Sequence, residues 1–315
     1  MKTTREEYAF SKSEIRILKE LANGERSLTQ IGEALSIKPS LLSYNLRKLL
    51  NKNIVKVAEK GSRKYVCFND SKHASQLRDL LLIYDYVDWQ NVLAGKAMEI
   101  LFQTLTDSRK SLEKFSRATL WRHVKDLKAR GILTREKAGY KINPRFSILT
   151  GFLNEYQRFI VDRLTHSISE SAVVLWQGDL EFLIRTPKNL RTVPKNFLKT
   201  GTSLFSDFGL PMFSEFDIYF YSKEKRSIRS EDAVLHTLLI EPNNVRYAIY
   251  ALLLLKKYEG RIDKGYLSKQ AQRFGLNRQI SGMFQFLKMH TSVKGLALPT
   301  WREFEAKARD YKVIE

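Results

Sequence analysis

Hydrophobic positions near the start of the chain fall with helical spacing three times and then alternate, and the same succession comes again further on. Ile15, Leu18 and Leu21 line one face of a helix opened by Ser11 or Ser13 and stopped at Asn23-Gly24. Leu28 to Leu35 predicts a second helix, whose small Gly32 lies four positions before Ser36, where two helices must approach closely at a tight turn. A third opens at Lys38-Pro39-Ser40, because a proline in the first turn forfeits no hydrogen bond. At about 100° per residue its Leu42, Leu46, Leu49 and Leu50 point inward, and its Ser40, Tyr44, Arg47, Lys48 and Asn51 outward. Ile54 to Val57 and Tyr65 to Phe68 then read as strands joined through the tip Lys60-Gly61-Ser62-Arg63-Lys64.

A shift of 78 positions carries Leu42 onto Leu120, Leu46 onto Val124, Leu49 onto Leu127 and Ile54 onto Ile132, and it carries the helix stop Asn53 onto Gly131. The matched positions are those that seat a helix on a core, so the repeat is one of structure. In the second copy Met98, Leu101 and Leu105 mark a first helix, Ser111 to Phe115 leaves room for a short second one, and Lys137-Ala138-Gly139 turns the hairpin. Aligning Ile17 with Ile100 gives a shift of 83, so this copy is five residues shorter before its third helix. It either reads nucleic acid like the first or serves as a dimerisation or scaffold module. An amphipathic helix follows each hairpin: Ala74 to Tyr86 presents Leu77, Leu80, Leu81 and Tyr84, and Phe146 to Leu164 presents Leu149, Leu153, Tyr156 and Ile160. Such helices either pair across a two-fold axis, which favours a homodimer, or close the core of their own module.

The C-terminal half changes class. Ala172 to Trp176 and Phe216 to Tyr221 read as strands, and Glu231–Ile240, Val245–Tyr258, Tyr266–Phe274 and Gln279–His290 as helices. Leu267 to Leu276 has the look of another helix and turn, but no hairpin follows and Ser281-Gly282 weakens the next helix, so a packed helical cap is expected. The expected architecture is α+β: tandem winged helix-turn-helix domains over 1–87 and 88–165, then a mixed α/β domain with a helical region over 166–315.

Charge decides the partner. The net charge is +20, and residues 1–150 hold 29 Lys and Arg against 16 Asp and Glu. Lys38 to Lys64 carries eight basic residues and one acid, Arg109 to Arg145 twelve and three. A one-signed excess on two repeated helix-and-hairpin segments is the footprint of phosphate binding, and points to double-stranded DNA. The residues expected to meet it are Lys38, Ser40, Ser43, Tyr44, Arg47 and Lys48 on the third helix, Lys60, Arg63 and Lys64 on the hairpin, and Arg117, Arg122, Lys125 and Lys137 in the second copy, with Trp121 on its shoulder. Tyr44 and Arg47 are placed to read base edges, and Arg63 and Lys64 to hold phosphates. The single cysteine, Cys67, excludes a disulfide framework and suits a reducing compartment. The opening residues have no secretory pattern, and the longest apolar stretch, Tyr247 to Leu255, is too short to cross a bilayer. The expectation is a cytoplasmic, nucleoid-associated protein. His123 has no partner at ligand spacing, so neither metal nor cofactor is expected.

Residues 11–70 resemble the winged-helix domains of the ArsR and MarR families of prokaryotic transcription regulators, which implies regulation through sequence-specific binding to duplex DNA. A second resemblance lies further on. Leu198 to Leu204 followed by Gly209-Leu210-Pro211-Met212-Phe213-Ser214-Glu215-Phe216-Asp217 is similar to the AbiEii family of abortive-infection nucleotidyltransferases. That family has a Gly-Gly-Thr turn for the triphosphate and a Gly-Leu-Pro-Arg-Phe-Ser-Glu-Asp-Ile-Asp run whose acids bind metal ions. Gly201 and Thr202 fit the turn, and Glu215 and Asp217 the acids. Thr200 replaces the first glycine, Met212 the arginine, His236 stands where a lysine belongs and Tyr247 where an acid does. The resemblance implies a retained fold with lost catalysis, used for sensing or assembly and able at most to bind a nucleotide weakly through backbone N–H groups. The alternative it leaves is an active nucleotidyltransferase of a toxin–antitoxin type, whose winged helices regulate its own gene.

Overall fold

The computed structural model describes residues 8–61, 63–105, 115–136, 139–225 and 227–314. The chain divides into two compact units, Met1–Ile160 and Val161–Glu315.

The first unit begins with helix α1 (Lys12–Ala22), whose cap is Ser11: its Oγ accepts from Glu14 N while the Glu14 carboxylate accepts from Ser11 N. Ser27 and Gln30 form the same reciprocal cap on α2 (Leu28–Leu35). Helix α3 (Pro39–Asn51) has Pro39 at its first position and buries Leu42, Asn45, Leu46 and Leu49. Leu50, expected inside, is 41% exposed, because the inward stripe of α3 is filled by Leu42, Asn45, Leu46 and Leu49. Strands β1 (Arg26–Ser27), β2 (Val55–Lys60) and β3 (Arg63–Phe68) form a sheet in the order β1-β3-β2. Lys60 pairs with Arg63, so the strands run further than the sequence suggested.

Helix α4 (Lys72–Ile83) follows, then a short α5 (Trp89–Val92) and α6 (Lys96–Thr104). The segment Ser111 to Phe115, expected to hold a short helix, lies outside the described residues except for Phe115. Helix α7 (Arg117–Ala129) and strands β4 (Leu133–Glu136) and β5 (Gly139–Ile142) come next. This segment repeats local geometry of the first one. Both helices have 13 residues. Asn53 and Gly131 after them are left-handed, with φ of 54° and 72°. Asn69 N donates to Ile54 O and Asn143 N to Ile132 O, each at 2.8 Å, closing the two hairpins alike.

Helix α8 (Ser147–His166) buries Leu149, Leu153, Tyr156 and Ile160, and α4 buries Leu77, Leu80 and Leu81, all within the described structure. The faces offered above as candidates for pairing across a two-fold axis are therefore spent on the core of one chain, the second of the two roles expected for them. Tyr84, expected on that face, caps α4 instead, and its hydroxyl donates to Arg145 O at 2.6 Å.

In the second unit four antiparallel strands, β6 (Val173–Gly178), β7 (Glu181–Pro187), β8 (Phe197–Lys199) and β9 (Phe216–Tyr221), run in the order β6-β7-β9-β8. One face, with Leu183, Ile218 and Phe220, packs on α9 (Ser230–Ile240) and α10 (Val245–Lys257). The other, with Phe182, Ile184, Phe197, Tyr219 and Tyr221, packs around Val161. Helix α9 is buried nearly throughout, its Glu231, Asp232, His236 and Thr237 included, and hydrogen bonds and an ion pair within the unit satisfy these polar groups. Helices α11 (Lys264–Arg273), α12 (Asn277–Met289) and α13 (Trp301–Asp310) complete the unit. Ser281-Gly282 does not interrupt α12: a Cβ on Gly282 would meet Leu296 Cδ1 at 2.1 Å, so the glycine serves a close approach. Among the described residues, no helix is long and apolar enough to cross a membrane.

Candidate nucleic-acid interface

Helix α3 is held from below and free above. Asn45, on its buried side, donates through Nδ2 to Leu41 O at 2.9 Å, and Ser11 Oγ, the cap of α1, reaches its Oδ1 at 3.5 Å. At the C-terminal end the Lys52 ammonium lies 2.6 Å from Glu14 Oε1, both side chains almost fully buried, and 5.2 Å from the Phe10 ring centroid. The Lys52 carbonyl meets His73 Nε2 at 3.1 Å. Burial pushes the His73 pKa down, against the pull of that backbone hydrogen bond. Neither the Glu14–Lys52 pair nor Asn45 was singled out from sequence. Asn45 carried a legible signal, a polar residue on an inward stripe of leucines.

On the opposite face Lys38, Ser40, Ser43, Tyr44 and Arg47 are all exposed, as expected, and Lys48 is half-buried. Tyr44 is 54% exposed, with the Lys48 ammonium 4.6 Å from its ring centroid. Leu41, 47% exposed between Ser40 and Ser43, widens this face with an apolar contact. Hydroxyls, a phenol, a guanidinium and an aliphatic group on one helix face are the means by which a helix reads base edges and thymine methyls in a major groove.

The hairpin differs from expectation in its charges. Lys60 is bridged to Glu25, whose hydrogen bond chiefly raises the lysine pKa, and Lys64 lies 3.5 Å from Glu59. Arg63 is exposed with no ion-pair partner among the described residues. Exposed bridges of this kind are weak, so Lys60 and Lys64 can exchange an acid for a phosphate at small cost. Cys67 is half-buried, with its sulfur 3.9 Å from Lys56 O.

In the second segment Ser116 caps α7, accepting from Thr119 N at 3.2 Å. Arg117, Arg122 and Lys125 are exposed. Trp121 is 65% exposed, with the Lys125 ammonium 4.9 Å from its ring centroid. His123 is half-buried, its pKa lowered by burial first and by Arg122 next. Lys137 lies outside the described residues.

In the second unit, the residues compared above with the nucleotidyltransferase pattern are in part brought together and in part kept apart. Gly201, with φ of 55°, opens a 3₁₀ helix (Gly201–Phe208), and a Cβ there would press on Ile240 Cδ1 at 3.2 Å. Thr202 follows it, half-buried. The turn is tied to β9: Thr200 N donates to Ile218 O and Ile218 N to Ser203 Oγ, each at 2.9 Å. Asp217 is buried, with Oδ1 3.0 Å from Lys199 Nζ. Glu215 lies in the preceding loop, exposed. His236 is buried on α9, with Nδ1 2.8 Å from Thr200 Oγ1 and its ring 4.2 Å from that of Phe220. Burial lowers its pKa to about 3, so it carries no charge near neutral pH. Among the described residues no three His, Cys, Asp or Glu side chains converge to hold a metal ion.

Against known families, residues 11–57 match the model described as bacterial regulatory protein, arsR family. The match spans α1 to the start of β2 and so covers α3; this segment is similar to the helix-turn-helix of that regulator family, which supports DNA binding. Residues 194–313 match a family described as HVO_2833_C, C-terminal, which covers β8 to α13. No curated protein is significantly similar to the chain.

Proposed function

We propose that this protein is a transcription regulator that recognises specific sequences in double-stranded DNA. It does so with two winged helix-turn-helix segments, residues 1–87 and 88–165, and its C-terminal domain (166–315) senses or assembles and does not transfer nucleotides. The observation that carries the reading is the outward face of α3, with Ser40, Ser43, Tyr44 and Arg47 exposed inside a segment that matches the arsR family. The repeat of helix length, left-handed stop and hairpin closure in α7, β4 and β5 supports a second winged helix. The absence of catalysis is supported by Asp217, which is buried and held by Lys199, by exposed Glu215, and by a neutral histidine and a tyrosine where a cation and an acid would serve a polyphosphate.

Selection of bound duplexes from a random pool tests specificity. One preferred sequence is expected; Tyr44→Ala and Arg47→Ala relax it at one or two base pairs for about 1–3 kcal/mol each, while Arg63→Ala weakens all sequences alike. A pool that stays random would leave only non-specific binding. For the second unit, no label is expected to pass from any of the four nucleoside triphosphates to RNA or protein with Mg²⁺ or Mn²⁺. Label transfer that disappears in Asp217→Ala would establish an enzyme.

A further inference from the structure

The helices that trail the two hairpins lie against each other. Lys72 Nζ on α4 is 2.7 Å from Glu155 Oε1 on α8, and the His73 ring centroid is 4.6 Å from that of Phe159 and 5.6 Å from that of Tyr156. Gly151, 78 positions after His73, lets the Gln76 amide lie on the α8 backbone: a Cβ there would meet Nε2 at 2.9 Å. An element packed on its own repeat is what a two-fold interface produces between subunits; here it closes within one chain. The contact is not confined to these helices. Phe10 forms a parallel bridge with Ala94, and Gly95 N donates to Phe10 O at 3.1 Å. Tyr156 Oη donates to Tyr8 O at 3.1 Å, and Arg130 at the end of α7 pairs with Asp88 beside α5. Both helix-and-hairpin segments thus share one core.

Resting on the reading of the chain as a DNA-binding regulator, we infer that a single chain holds a duplex at two places at once, α3 at one and α7 at the other, and does so as a monomer. The cis pairing of α4 with α8 supplies what regulators with one such segment obtain from a second subunit. The surface of α7 suits the same partner. It carries Arg117, Arg122, Lys125 and Lys128 against one acid, Asp126. Arg117, Arg122 and Lys125 are exposed to take phosphates, and Trp121 offers an exposed apolar edge beside them.

The test uses the full chain and a random-sequence duplex of about 30 base pairs, a probe on which phosphate contacts alone give measurable binding. Sedimentation should find one chain per bound duplex at low occupancy. The variant Arg122→Ala/Lys125→Ala should lower affinity roughly tenfold or more at low salt and reduce the slope of log K against log salt by about 2. Lys38→Ala/Arg63→Ala should do the same from the other segment. All four residues are exposed, so an unchanged circular dichroism melt controls for folding. Cooperative binding of two chains would overturn the inference and leave the proposed function standing; loss from the α3 side alone would overturn the inference and leave a DNA-binding regulator that reads with its first segment only. If neither pair matters, the proposed function falls as well.

Discussion

The two helix-and-hairpin segments end their third helices on equivalent cations, Lys52 and Arg130, 78 positions apart, and hold them differently. Lys52 and its partner Glu14 are 4% and 1% exposed at 2.6 Å, and Glu14 also caps α1. Arg130 and Asp88 are 31% and 46% exposed at 3.2 Å, and the Arg130 Nε has no partner among the described residues. In the first segment the ion pair is part of the core, fixing the angle at which α3 leaves it. In the second, α7 is fastened at its rim. Equivalent positions in a repeat can keep their charge and lose their energetic weight, because weight comes from desolvation and from the number of hydrogen bonds each group satisfies.

The largest effect expected is on binding. Lys38, Lys48, Arg63 and Lys64 in the first segment would release about four counterions, and Arg117, Arg122 and Lys125 in the second about three more. Seven contacts imply a slope near −6 and a loss of roughly 10⁴-fold in affinity between 50 and 200 mM salt; four imply a loss of only about 10²-fold. Titration of the full chain with duplex across that range measures how far the loosely fastened segment joins in. An affinity flat in salt would break the reading of both.

Next in size is Glu14→Ala. The variant leaves the Lys52 ammonium buried without its counter-charge and opens the cap of α1, so about 3–5 kcal/mol should be lost. Urea unfolding followed by circular dichroism measures it. A loss below about 1 kcal/mol would mean that water or another acid reaches Lys52 on mutation, and that the first segment is no better anchored than the second.

How much of this could be read in the sequence depends on the range of the interaction. Leu42, Leu46 and Leu49 obey the helical period and are buried, and Ser40, Tyr44 and Arg47 on the other side are exposed, because a short helix on a core is a local problem. Strand β8, at three residues, is too short to give a period, and β7 is a continuous run, Phe182 to Ile184, that could have belonged to a helix. Both are fixed by pairing with β9. Helix α13 was missed although Thr300 and Glu303 form a capping box that is visible in the chain. At the positions compared with the nucleotidyltransferase pattern, the sequence showed which residues were present but not that Lys199 would take Asp217 or that Thr200 would take His236. Those pairs are 18 and 36 residues apart and exist only once the sheet has formed.

The second unit has a buried histidine of its own, and it sharpens the contrast by pH. His236 has a folded-state pKa of about 3 against 6.5, so below pH 6.5 the unfolded chain binds a proton that the folded chain refuses. Its contribution is complete above pH 6.5 and is lost as pH falls toward 3, at about 1.4 kcal/mol per pH unit. Between pH 6.5 and 5 the second unit should lose about 2 kcal/mol that His236→Gln does not lose. Urea midpoints of the two proteins at both pH values give the difference. Parallel falls would mean that His236 is not the group being titrated.

The smallest effect expected is the one that completes the comparison of the two cations. Asp88→Ala removes the partner of Arg130, but both side chains reach solvent, which screens the pair and hydrates whichever charge is left. Asp88 also accepts from Asn91 Nδ2 at the start of α5, so its removal costs that contact too. The total should stay below about 1 kcal/mol, a few-fold less than Glu14→Ala, and 0.5 M salt should shrink it further by screening. Urea midpoints of the two single variants, with and without added salt, provide the comparison. If Asp88→Ala costs as much as Glu14→Ala, the equivalent cations carry equal weight, and the second segment is built as tightly into the common core as the first.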